Sequence, residues 1–160
     1  MPESEKIFQE QLFQKMIQLN KFHTQDKVDL FNALRDKFGA EVLEIVERVE
    51  CEKARAQLAN ISKQTTDRSI LSLIRLLWEP LRMKGFEYTY EIQQDGIQMR
   101  CTKCPVFEMA KELKATDWLY HHTCNIDPYI ALGFNPKIGL KRTKTLMEGD
   151  AYCDHFYYLK

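Results

Sequence analysis

At Gly85 the hydrophobic period of this chain changes, and that change constrains the fold more than any other feature. Upstream, apolar residues recur about every 3.6 residues, as on one face of a helix. Downstream, Phe86, Tyr88, Tyr90 and Ile92 alternate with Glu87, Thr89 and Glu91 as in a half-buried strand. Helices followed by strands joined through short turns define an α+β chain, because such strands pair antiparallel.

In the upstream part, Ile7, Phe8, Leu12, Phe13, Met16 and Ile17 share a face of a first helix. Asp26 is placed to cap a second, which carries Val28, Leu30, Phe31, Leu34 and Phe38 and stops at Gly39. A third is expected over about 40–61, with Val42, Leu43, Val46, Val49, Ala54 and Leu58 spaced for burial. Thr66 or Asp67 should cap a fourth over 70–83, apolar on nearly all sides and central to the core, with Pro80 bending or ending it. Packing accounts for all of these residues without a ligand.

Beyond Gly85, Asp95-Gly96 supplies a tight turn, and the returning strand sets Ile97, Met99 and Cys101 against Gln98, Arg100 and Thr102. Short helical pieces are expected over 105–114 and 116–125, and a turn or helix at Asp127-Pro128. A last hairpin, 138–145 with 151–158, turns at Glu148-Gly149-Asp150. The expectation is a single domain, 1–160, in which a helical part (1–84) precedes a ββααββ part (85–160). Its four-stranded antiparallel sheet should carry helices packed on one face.

Composition narrows the partners. Lys and Arg number 23 and so do Asp and Glu, giving zero formal charge. That balance predicts neither a nucleic-acid nor a membrane partner, and Lys141, Arg142 and Lys144 read as a solvated strand face. The amino terminus is polar, and the longest apolar stretch, 70–78, contains Arg75 and is too short to span a bilayer. A cytoplasmic protein with reduced thiols is expected, since its five cysteines are an odd number in a chain large enough to fold without staples. The amphipathic helices allow packing within one chain or across a two-fold axis, which leaves a homodimer open.

The residues with chemistry lie between Cys101 and Asp154. Cys104 precedes Pro105, which favours the first position of a helix, so the thiol falls at the N-cap where unpaired amides favour the thiolate. His121 and Asp127 flank Cys124 at three residues on either side, a spacing that brings helical side chains together. Cys153 lies on the last strand, opposite in facing to Tyr152, Asp154 and Phe156. Cys101 reads as core, although it forms a C-x-x-C with Cys104, and Cys51 on a charged helix reads as non-catalytic. His122 and His155 read as surface histidines beside aromatic residues, needing no function. The turn can aim Glu148 and Asp150 from a rigid hairpin as a general acid or base requires.

Three segments, Cys104-Pro105, Cys124-Asn125-Ile126-Asp127 and the run from Thr145 to Phe156, resemble the L-2-amino-thiazoline-4-carboxylic acid hydrolase family. That family is similar in turn to the vinyl-reductase type of small-molecule-binding domain. The resemblance implies a small-molecule substrate and hydrolytic opening of a cyclic amidine, the 2-aminothiazoline ring, to a carbamoyl-cysteine. On that basis attack falls to Cys104 or Cys124, or to water activated by Asp127, with Cys153 in the same catalytic set. Glu148 or Asp150 would shuttle protons, Arg100 or Arg142 would hold the substrate carboxylate, and His121 would contribute to binding. No cofactor is implied. In the alternative, a sensor domain, Cys104, Cys124 and Cys153 would hold zinc or iron, completed by His121 or Asp127.

Overall fold

Helix α1 (Glu3–Phe38) is continuous where the sequence predicts two helices. Residues 18–26 contain neither glycine nor proline, and Gln18, Leu19 and Lys21 are good helix formers, so the chain never leaves helical geometry and Asp26 has no end to cap. Gly39 stops the helix at φ +83°, and its N–H donates to the Arg35 carbonyl at 2.7 Å. The computed structural model describes residues 2–160. It divides into two units, one ending at Val42 and containing α1, the other running from Leu43 to Lys160. In α1 only Val28 and Phe31 are fully buried.

The second unit carries the sheet. Helix α2 (Glu41–Lys63) buries Cys51, Ala54 and Leu58, and α3 (Ile70–Arg82) buries Leu73, Ile74 and Trp78. The cap of α3 is Ser69, whose side chain accepts from the Ser72 amide at 3.2 Å, in place of the predicted Thr66 or Asp67. Asp67 instead accepts from the amide and hydroxyl of Ser69, at 2.9 and 3.1 Å, and so orients the cap. Pro80 lies in the last turn of α3, which continues two residues beyond it.

Strands β1 (Glu87–Ile92), β2 (Gly96–Lys103), β3 (Ile138–Lys141) and β4 (Cys153–Leu159) form one antiparallel sheet in the order β1-β2-β4-β3. Between β2 and β3 come α4 (Pro105–Glu112), α5 (Thr116–Leu119), a π-helical turn over Tyr120–Cys124, and α6 (Asp127–Phe134). The expected α+β architecture is therefore present, with α3 against β2 and α6 against β3. Register places Ile97, Met99 and Cys101 beside Tyr157, His155 and Cys153, all buried on the core face. On β1 only Tyr88 joins that core, and Tyr90 and Ile92 are exposed because β1 is an edge strand.

The last hairpin is less regular than predicted. β3 stops at Lys141, and Thr143 and Lys144 leave the ladder to donate three hydrogen bonds to the Asp154 carboxylate. The turn itself is a short 3-10 helix, Leu146–Glu148, closed by Gly149 at φ +94°.

Candidate functional site

A cavity of about 300 Å³ lies in the second unit, between α3, the start of α4, the π-helical turn, α6 and the core face of β2 and β4. Its wall is mostly apolar, with Leu77, Trp78, Leu81, Phe86, Ile126 and Ile130. Cys101, Cys104, Cys124 and Cys153 also line it, as do Asp127, Arg142, His155 and Tyr157. Local sequence explains most of these positions. Cys104 is the N-cap of α4 ahead of Pro105, Asp127 opens α6 ahead of Pro128, and alternation along β4 turns Cys153, His155 and Tyr157 inward. Arg142 enters because the chain leaves the ladder one residue earlier, at Lys141.

The polar centre is an ion pair with a histidine on it. Arg142 Nη1 donates to Asp127 Oδ2 at 2.6 Å and to the Cys124 carbonyl at 2.8 Å, and Nη2 donates to Asn125 Oδ1 at 3.3 Å. The Asp127 carboxylate accepts a second bond on the same oxygen from His155 Nε2, at 3.1 Å. Both bonds use Oδ2, which leaves Oδ1 uncommitted on a side chain that lines the cavity. Burial disfavours the Arg142 charge, but the Asp127 carboxylate, Cys124 and Tyr120 together outweigh it and hold the guanidinium pKa above its ordinary value. Trp78 packs edge-on to His155, with ring centroids 5.1 Å apart, and donates from Nε1 to the Tyr157 hydroxyl at 3.3 Å.

The thiols do not have the character expected of them. Burial pushes Cys104 up to about 11, against the opposing pull of the Phe107 and Val106 amides. The helix N-terminus lowers a thiol pKa by partial charge, but desolvation of the anion in an apolar wall is the larger effect here. Burial likewise pushes Cys101 up to about 12 and raises Cys124 and Cys153. All four are protonated near neutral pH, and Cys153 accepts a hydrogen bond from the Leu146 amide at 3.3 Å.

Of the residues singled out in the sequence, Cys104, Cys124, Cys153, Asp127 and Arg142 meet at this cavity. Four others do not line it. Arg100 lies on the opposite sheet face, its guanidinium 4.3 Å from the Tyr152 ring centroid. Asp150 accepts from the Thr145 amide and Glu148 from the Thr145 hydroxyl, so both carboxylates tie their own turn together. His121 pairs through Nδ1 with Glu47 on α2, which also accepts from Asn125 at 2.8 Å. The Lys141, Arg142 and Lys144 patch is not a uniform solvated face, because Arg142 turns inward. Conversely, His155 is only 5 % exposed, contrary to its reading as a surface residue. Its even spacing with Cys153 and Tyr157 was the available signal. Among the described residues no three His, Cys, Asp or Glu side chains form a group able to hold a metal ion. Nor is any described helix long and apolar enough to cross a membrane.

An antiparallel sheet with helices packed against it and a cavity between them defines an α+β domain. Residues 19–157 match the L-2-amino-thiazoline-4-carboxylic acid hydrolase family, and the chain belongs to that family. Among solved structures it is similar to the phenol-responsive sensory domain of the transcription activator PoxR, crystallised with phenol, which has a vinyl-reductase-like fold. The two share 12% identity at a TM-score of 0.55, over 86% of this chain and 74% of that one, a likeness of fold. No curated protein matches the chain in sequence.

Proposed function

We propose that this chain is a hydrolase that opens a small cyclic amidine of the 2-aminothiazoline type, with the cavity as its substrate site and Asp127 as the base that activates water. The observation that carries this reading is the division of labour within Asp127: Arg142 and His155 fix Oδ2, and Oδ1 is left to bind a water or substrate N–H. Water held on Oδ1 adds to the carbon between sulfur and nitrogen, and its first proton passes through Asp127 to the ring nitrogen. The C–S bond then breaks as the new hydroxyl becomes a carbonyl, and the hydroxyl proton leaves with the sulfur as a thiol. Protonated cysteines in an apolar wall support water over thiolate as the attacking group. Arg142 also lines a polar recess with Tyr120, Asn125, Lys141 and Glu148, where the two cations outnumber the one carboxylate and give a substrate carboxylate a partner outside the apolar wall.

The test is thiol release from 2-aminothiazoline-4-carboxylate. Asp127→Asn should lower turnover about 100-fold or more, whereas Cys104→Ser and Cys124→Ser should remain within about tenfold of wild type. Turnover that survives in Asp127→Asn and vanishes in a cysteine variant would reassign the nucleophile. The apolar wall also supports a second reading, ligand binding without chemistry, as in the phenol-bound sensory domain. Under that reading the wild-type protein binds the amidine or phenol in calorimetry and releases no thiol.

A further inference from the structure

The cavity beside Asp127 is larger and less polar than the bare aminothiazoline acid requires. That compound occupies roughly 120 Å³ and, at the packing density of a protein interior, fills about 160 Å³. The cavity has a volume of about 300 Å³. A substrate carboxylate placed in the recess beside Arg142 lies outside the apolar wall, so the bare ring would use less of the cavity still. Binding gains by contact, and a gap lined by apolar groups forfeits it.

The polar groups of the wall are engaged with the protein. Asp127 bonds Arg142 and His155, at 2.6 and 3.1 Å. The Tyr157 hydroxyl accepts from Trp78 Nε1 at 3.3 Å, and the Thr123 hydroxyl pairs with His122 Nδ1 at 3.3 Å. His155 Nδ1 has no partner but presents almost no surface to a ligand. Beyond Asp127 Oδ1, an occupant meets hydrocarbon from Leu77, Leu81, Phe86 and Ile130, and four thiols. Two of these sulfurs are held locally: Cys101 Sγ donates to the Lys103 carbonyl and Cys153 Sγ accepts from the Leu146 amide, each at 3.3 Å. A protonated thiol in such a wall packs as a small, polarisable apolar group, and sulfur together with the rings of Trp78 and Phe86 favours an aromatic occupant. We infer that the substrate is a 2-aminothiazoline-4-carboxylate bearing a phenyl-sized aromatic group that packs against this wall, an inference that rests on the reading of the cavity as the substrate site of a hydrolase. The ring carbon beside sulfur that bears neither the amidine nor the carboxylate is the place for it. A phenyl group adds about 100 Å³ at interior packing density, so ring and substituent together come to about 260 Å³ and fill the cavity without crowding it.

Thiol release by the full chain is measured on 2-aminothiazoline-4-carboxylate and on its 5-phenyl derivative, supplied as both diastereomers. The phenyl compound should show a kcat/KM at least about tenfold higher, as burial of an apolar group of that size provides. Leu81→Trp and, separately, Leu77→Trp put an indole into the same space, and each should lower the ratio of the two kcat/KM values at least about tenfold. Two variants cover the case in which one fails to fold, which far-UV circular dichroism reports. Opening of the bare ring as fast as the phenyl compound, or faster, overturns the inference and leaves the hydrolase reading standing. A phenyl preference that neither folded variant reduces places the substituent elsewhere and overturns it as well. If neither compound releases thiol, the hydrolase reading falls, and calorimetry decides the class of ligand by itself: binding of the phenyl compound at least about tenfold tighter upholds it, and equal affinities overturn it.

Discussion

Replacing Arg142 by leucine removes the one cation at the polar centre, and the structure sets the size of the effect. The guanidinium side chain is 10% exposed and the Asp127 carboxylate 26%. Its loss leaves that carboxylate with His155 alone and strips the Cys124 carbonyl of its 2.8 Å donor. Breaking a buried ion pair from one side costs about 3–5 kcal/mol. Partial exposure of Asp127 places this case at the lower end, and burial of the leucine recovers part of the loss, so about 3 kcal/mol is expected. For a chain of this length that is a fall in Tm of about 9 °C, at roughly 3 °C per kcal/mol.

Urea unfolding followed by circular dichroism measures the loss directly, and an unchanged m-value shows that the variant still unfolds from the same compact state. Asp127→Asn breaks the pair from the other side: a neutral amide still accepts from Arg142, but the guanidinium, 10% exposed, loses its anion, so this variant is also expected to be destabilised. If the pair acts as a unit, the double variant is less destabilised than the sum of the singles, by about 1.5 kcal/mol or more. A loss below about 1 kcal/mol for Arg142→Leu, or strict additivity in the double variant, would refute the argument that this pair is a buried, coupled element.

Two further outcomes follow from the surroundings of the site. Cys104 has its pKa raised by burial from 9.0 to about 11, so its contribution to stability is complete below pH 9 and is lost as pH rises through 11. Urea midpoints should therefore fall less steeply between those values in Cys104→Ala than in wild type, and equal slopes would remove the thiol from the account. A methyl group on Gly133 of α6 would stand 2.3 Å from the Arg55 carbonyl of α2, backbone that cannot swing aside. Gly133→Ala should thus cost about 2–3 kcal/mol in the same assay, and a neutral result would mean that the two helices are not in close contact.

How much of this was legible in the sequence depended on whether the cause was local. The inward face of β2 could be read from Ile97, Met99 and Cys101 because alternation is a property of the strand itself. Cys104-Pro105 and Asp127-Pro128 marked helix starts for the same kind of reason. His155 was misread because its burial depends on strand order: β4 is last in the chain but lies between β2 and β3 in the sheet. Arg142 looks solvated within Lys141-Arg142-Thr143-Lys144, and only the fold brings Asp127, fifteen residues earlier, to it. The thiolate expected at Cys104 failed on a quantity that sequence does not carry, namely how much water the folded chain leaves around the sulfur.

Asp127 joins the fold to the site. It opens α6, bonds β4 through His155, and holds the chain beyond β3 through Arg142, so three separate elements are fixed to one carboxylate oxygen. A base held in this way needs little reorganisation when substrate arrives, which is the condition for efficient proton transfer in an apolar cavity. The same bonding makes the residue structural, and loss of turnover in an Asp127 variant is therefore ambiguous when read alone. Arg142→Leu separates the two roles: it loosens the carboxylate and leaves the acid in place. If Asp127 is the base, turnover in Arg142→Leu should fall in kcat even at temperatures where the variant is fully folded, whereas loss of a partner for the substrate carboxylate alone would raise KM.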